Sequence, residues 1–223
     1  MKNKKNNKLL LFDYDGTIVD SSEMIIDGTR EAFKRCGLQP PEPSKIKSEI
    51  GKNLEKAISS YLPPKQIAML DKIAYKYREW YTEQDIAGKK FEPLFDKIRP
   101  TLQIFLRNGW ILGIATNKSY RGLTRGLEYH KIQDFFSITM TADKFLPKPN
   151  NAMAIHALEK LKVEKTNAYM IGDTVHDIEM GKNAGIKTIG VNWGYNTEEQ
   201  LVKSNADYIA NNLNELIQIL KDK

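Results

Sequence analysis

The sequence predicts an α/β fold, a doubly wound parallel sheet with a small inserted α-helical domain. Three observations predict it. From Pro100 onward, amphipathic helical stretches alternate with short apolar runs, the pattern of a parallel sheet covered by helices on both faces. Near the start, residues 9–13 are an apolar run ending in acid and followed by Gly16, which reads as a buried strand delivering polar groups at its C-terminal end. Between these regions, residues 21–89 give proline-punctuated helical pieces and no alternating β-branched run, so a second domain is inserted after the first strand.

The elements follow in order. Asp20 and Glu23, three apart and ahead of Met24, Ile25, Ala32 and Phe33, form a loose capping box for a helix that should stop near Gly37. Residues 44–50, 54–62 and 64–83 read as helices of the insertion. Then helix 99–107 precedes strand 110–115, helix 119–129 precedes strand 137–140, and helix 150–161 precedes strand 168–171. Helix 176–184, ended by Gly185, leads to strand 187–191, and segments 208–210 and 212–220 close the chain. The expected division is a Rossmann-like core of residues 1–20 and 90–223 and a helical cap of residues 21–89.

Composition narrows the function classes. With 223 residues, 41% hydrophobic and 28% charged, the chain is an ordinary globular one. Its net charge of +6 is spread along the sequence, and the one dense run, Lys2, Lys4, Lys5 and Lys8, reads as a solvated terminus, so no nucleic-acid partner is expected. The apolar run Leu9 to Phe12 is far shorter than the roughly 18 residues of a membrane span and too short for a secretory signal. A cytoplasmic protein with no membrane partner is expected. The single cysteine, Cys36, cannot close a disulfide within the chain or build a zinc site by itself.

The polar residues that follow the strands carry the chemistry. They are Asp13-Tyr14-Asp15-Gly16-Thr17, Thr116-Asn117-Lys118, Lys148 between two prolines, and Gly172-Asp173-Thr174 with Asp177. In a parallel sheet these groups converge beyond the strand ends. Four carboxylates, Asp13, Asp15, Asp173 and Asp177, would repel one another in a partly desolvated cleft and need a cation; all-oxygen ligands favour Mg2+. Lys148 and the Thr116 hydroxyl on the same rim match a phosphate held between metal and lysine. Phosphoryl transfer follows, with Asp13 as nucleophile on phosphorus and Asp15, turned out of the strand at Gly16, as the acid and then the base.

These four groups, in this order and spacing, resemble the motifs of the haloacid dehalogenase superfamily across nearly the whole chain. The insertion after the first motif, Ile50-Gly51-Lys52-Asn53-Leu54 within it, and Gly190-Val191-Asn192-Trp193-Gly194-Tyr195 resemble the phosphoglycolate phosphatase-like branch. The resemblance implies that Asp13, the backbone carbonyl of Asp15 and Asp173 bind Mg2+, with Asp177 a ligand or beside the metal. It implies that Asp13, Gly16, Thr116, Asn117 and Lys148 hold the phosphoryl group. Dehalogenases and phosphonoacetaldehyde hydrolases of the superfamily lack an aspartate at the position of Asp15, so its presence implies phosphate-ester hydrolysis or a phosphomutase. Lys52 is expected to contact the leaving group.

The expected activity is Mg2+-dependent hydrolysis of a small phosphorylated metabolite, such as 2-phosphoglycolate, through an aspartyl phosphate. A pyrophosphatase, a phosphosugar mutase and a non-catalytic metabolite-binding protein share these residues and stand as alternatives; monomer and homodimer are equally open. His176 reads as a bystander at a helix start, and His130 and His156 as helix-surface residues. The group Tyr75, Tyr77, Trp80 and Tyr81 reads as packing within the cap.

Overall fold

The computed structural model describes residues 7–88, 92–221 and 223. The core consists of β1 (Lys8–Phe12), α5 (Ile98–Arg107), β2 (Trp110–Thr116), α6 (Tyr120–Tyr129), β3 (Ile138–Thr141), α7 (Ala152–Leu161), β4 (Ala168–Gly172), α8 (Val175–Ala184), β5 (Lys187–Val191), α9 (Glu198–Lys203), β6 (Tyr208–Ala210) and α10 (Leu213–Leu220). Between β1 and α5 come α1 (Ser22–Arg35), α2 (Pro43–Ser48), α3 (Leu54–Tyr61) and α4 (Leu70–Ile86).

The strands form one parallel sheet in the order β3-β2-β1-β4-β5-β6. Alternation along β1 divides the core: Leu10 and Phe12 pack into the apolar cluster on one face, Leu9 and Leu11 into the cluster on the other. A strand segment buried on both faces is apolar throughout, which is why the first charged side chain after Leu9–Phe12 marks the end of β1. Phe12 is level with Ile114 of β2 and Ile171 of β4, so Asp13, Thr116 and Asp173 emerge at one edge. There β1 lies between strands that follow it from opposite directions, the topological switch point of such sheets.

The inserted helices have their own apolar cluster, which includes Phe33, Ile58, Leu62 and Ile73. One expected helix is two. Residues 64–69 form a 3-10 helix and the α-helix starts only at Leu70. No residue of Pro64–Met69 is buried, so no packed face holds that turn in α geometry, whereas Ile73, Ala74 and Trp80 anchor α4. Helix α9 was not expected; its signal is the Thr197–Gln200 capping box, in which each side chain meets the other residue's backbone N–H. His130 is half-buried rather than on the surface, because its Nε2 lies 2.7 Å from the Glu92 carbonyl oxygen where the chain re-enters the core.

Candidate active site

Beyond the strand ends, Asp13, Asp173 and Asp177 are buried with carboxylate oxygens within 4.8 Å of one another. Each is fixed by its neighbours. The Tyr14 N–H donates to Asp13 Oδ1 at 2.7 Å. Thr17 Oγ1 (2.9 Å) and the Tyr195 N–H (2.9 Å) donate to the two oxygens of Asp173. The N–H and hydroxyl of Thr174 donate to Asp177 Oδ2 at 3.0 and 2.7 Å, closing a capping box on α8. Lys148 Nζ stands between Asp13 (2.7 Å) and Asp177 (2.6 Å) with its side chain fully enclosed.

Three buried carboxylates face one ammonium. Burial, then the charge of Asp177, pushes the Asp13 carboxyl up to about 7 against the pull of Lys148. Asp173 is raised well above the usual carboxylate range by burial and by the charges of Asp177 and Asp13. In Lys148, burial opposes the charged form, and the charges of Asp13 and Asp177 outweigh it, so the ammonium is held. A cluster short of positive charge, with oxygen donors alone, fits a divalent cation: Asp13, Asp173 and Asp177 are the residues that could hold one.

The fourth acid stands apart. Four converging carboxylates were expected, but the Asp15 side chain turns to Lys118, whose Nζ lies 2.9 Å from Asp15 Oδ1 and 2.7 Å from Glu92 Oε1. The turn at Gly16 makes this possible. Gly16 has φ +83°, and a Cβ there would stand 2.3 Å from Asp173 Oδ2. A metal role for Asp15 therefore rests on its backbone carbonyl, not its carboxylate.

Thr116 Oγ1 accepts the Lys118 N–H at 3.2 Å, leaving its own proton to donate. The Asn117 side chain is a staple: Oδ1 accepts the Lys148 N–H (2.9 Å), and Nδ2 donates to the Gly51 carbonyl in the inserted domain (2.8 Å). Gly51, at φ +99°, lies so close to Thr174 that a Cβ would stand 2.7 Å from Thr174 Cγ2. The cap loop thus rests on the core. Lys52 lines the cleft and pairs with Glu49 at 2.5 Å. Of the aromatic group, Trp80 packs inside the cap and Tyr75 is exposed, while Tyr77 and Tyr81 line the cleft. At His176, burial lowers the pKa, and the carboxylate in reach of its Nδ1 is Glu179 at 3.8 Å.

Lys118 and Glu92 were missed as site residues. Lys118 stood in the motif with no partner assigned, and Glu92 reaches it only because the chain returns from the cap alongside residues 18–20, where the Asp20 N–H donates to the Pro93 carbonyl.

Residues 10–191 match the family model for haloacid dehalogenase-like hydrolases. The chain belongs to this family. This haloacid dehalogenase-like hydrolase is 28% identical over 218 residues to the phosphoglycolate phosphatase of Vibrio parahaemolyticus, covering 96% of each chain. It is 30% identical over 220 residues to pyrophosphatase PpaX of Bacillus pumilus, covering 98% of each. The crystal structure of a predicted phosphatase from Clostridium acetobutylicum superimposes with a TM-score of 0.84 at 25% identity, over 97% of this chain and 99% of that one. The protein is therefore an enzyme, a phosphatase of the haloacid dehalogenase-like hydrolases. None of its described helices is long and apolar enough to cross a membrane.

Proposed function

We propose that the enzyme is a Mg2+-dependent phosphomonoesterase working through an aspartyl phosphate on Asp13, with a small phosphorylated metabolite of the cytoplasm as substrate. The observation that carries this reading is the pairing of an enclosed carboxylate and an enclosed ammonium, Asp13 and Lys148, at 2.7 Å beside two more acids. In this reading Asp13, the Asp15 carbonyl, Asp173 and Asp177 hold the ion. Mg2+ supplies charge neutralisation and polarises the phosphoryl oxygens.

The chain's own residues do the rest. Lys148 and the Thr116 hydroxyl bind phosphoryl oxygens, joined by Asn117, whose engaged side chain leaves the backbone to contribute. The Gly16 N–H, expected to join them, is given to the Val19 carbonyl at 2.8 Å, so Gly16 serves by its turn. An Asp13 oxygen attacks phosphorus while the bond to the ester oxygen breaks, and Asp15 gives that oxygen its proton. Asp15 then takes a proton from the water that attacks the aspartyl phosphate, releasing inorganic phosphate and restoring Asp13. The cap loop at Gly51 excludes bulk water, and Lys52 faces the leaving group.

The test is phosphate release, with Mg2+ and with EDTA, from 2-phosphoglycolate, sugar phosphates, nucleotides and pyrophosphate. Mg2+-dependent release from an ester supports the reading. Release from pyrophosphate alone, or equal release in EDTA, overturns it.

A further inference from the structure

The cleft between cap and core encloses about 500 Å3. Pockets of roughly 300–1,000 Å3 suit ligands the size of drugs, whereas a two-carbon acid ester would leave most of this space empty. The wall facing the catalytic acids is apolar: Ile25, Ile46, Ile50 and Ile58 line it, with the rings of Tyr77 and Tyr81. Those two rings are 4.8 Å apart, and burial pushes the Tyr77 hydroxyl up to about 12. Both are neutral surfaces on which a flat ring can pack.

Four cations on this lining already have partners. Lys52 pairs with Glu49 at 2.5 Å and Arg78 with Glu55 at 2.5 Å. Lys118 is held by Asp15 and Glu92, and Arg125 Nε lies 3.6 Å from Asp85. Arg121, the further cation among the described lining residues, is exposed. A leaving group bearing a carboxylate or a second phosphate could meet Arg121 only on the exposed part of the lining; seated against the isoleucines it would have to break one of these pairs or go uncompensated.

We infer that the alcohol released by this phosphatase is an uncharged body carrying a flat unsaturated ring, as a nucleoside does, seated on the isoleucine and tyrosine wall of the cap. This inference rests on the phosphomonoesterase reading and narrows its substrate class.

Two esters isolate the ring, because uridine 5′-monophosphate and ribose 5-phosphate share the primary ester and differ in the base. With purified enzyme and Mg2+, kcat/KM for uridine and inosine 5′-monophosphates should exceed that for ribose 5-phosphate and for 2-phosphoglycolate by at least about tenfold. Hydrolysis of all these esters without that preference overturns the inference and leaves the phosphatase reading intact. No hydrolysis of any ester overturns both. A second measurement uses Leu54→Arg, which places a cation on the half-buried cleft wall at the start of α3. In a variant shown folded by circular dichroism, the ratio of 2-phosphoglycolate to nucleotide turnover should rise at least about tenfold; an unchanged ratio in the folded variant counts against the inference.

Discussion

On the core side of the cleft, Asp13, Asp173, Asp177 and Lys148 are buried charges held at strand ends, each carboxylate fixed by a backbone or hydroxyl donor. On the cap side, isoleucine and tyrosine face the same space and the charges neutralise one another in pairs. The core wall is short of positive charge, and in the proposed reading it takes a cation and a phosphoryl group; the charges of the cap wall are paired, and in that reading it selects by shape and apolar surface. On that reading, chemistry and substrate choice are carried by different parts of the chain. They meet where the Asn117 side chain reaches the Gly51 carbonyl.

The largest expected effect comes from removing the proposed nucleophile. Asp13→Asn should lower kcat by at least about 10³-fold, since no other carboxylate in the cluster takes over covalent attack. The same change removes one of three mutually repelling acids, so the melting temperature in EDTA should not fall. Full activity in the folded variant would refute the covalent mechanism.

A second charged group, between the walls, gives the next largest effect. Lys118 satisfies both Asp15 and the buried Glu92. Lys118→Met leaves those carboxylates without a cation and should cost about 3 kcal/mol, which for a chain of this size lowers the melting temperature by roughly 6–12 °C. Turnover should fall with it, because Asp15 is no longer held. Glu92→Gln should be much milder, since the Lys118–Asp15 pair survives. Equal losses in the two variants, measured by thermal melting and kcat, would assign the effect to the Lys118–Glu92 pair and show that the pair with Asp15 contributes nothing.

What the sequence made legible follows the same division. Asp13, Thr116 and Asp173 could be read because a buried parallel strand is apolar until it ends, so the polar residue that closes or follows it falls at that end of the sheet. Lys148, seven residues beyond Thr141 of β3, was legible only through the motif pattern around it. The direction of Asp15 could not be read: whether its carboxylate joins the other acids or turns to Lys118 depends on the turn at Gly16 and on Glu92 arriving from the far side of the cap. The cap wall is harder still. Ile46, Ile58 and Tyr77 belong to three helices, and their spacing looks like ordinary helix packing. Which of those apolar faces is left open as cleft is decided by how the helices pack together.

The smallest expected effect lies at a charged cluster away from the cleft. Asp207 precedes β6, at the end of the sheet opposite the acids, where its Oδ2 accepts the N–H and hydroxyl of Thr188 at 2.8 Å each and Oδ1 meets Lys182 at 2.8 Å. Burial would raise its carboxyl, but the hydrogen bonds from Lys182 and Thr188 outweigh it and hold the group below the usual aspartate range. A carboxyl lowered in the folded state stabilises above its unfolded pKa, and that contribution is lost as the pH falls through the folded value. Asp207→Ala should cost about 1–2 kcal/mol at pH 7, from the buried Thr188 donors left unpaired, with kcat unchanged. The melting-temperature gap between variant and parent should narrow in acid as the parent's Asp207 takes up its proton. A gap independent of pH would assign the contribution to hydrogen bonding that survives protonation, and a fall in kcat would show that this edge of the sheet is coupled to the catalytic acids after all.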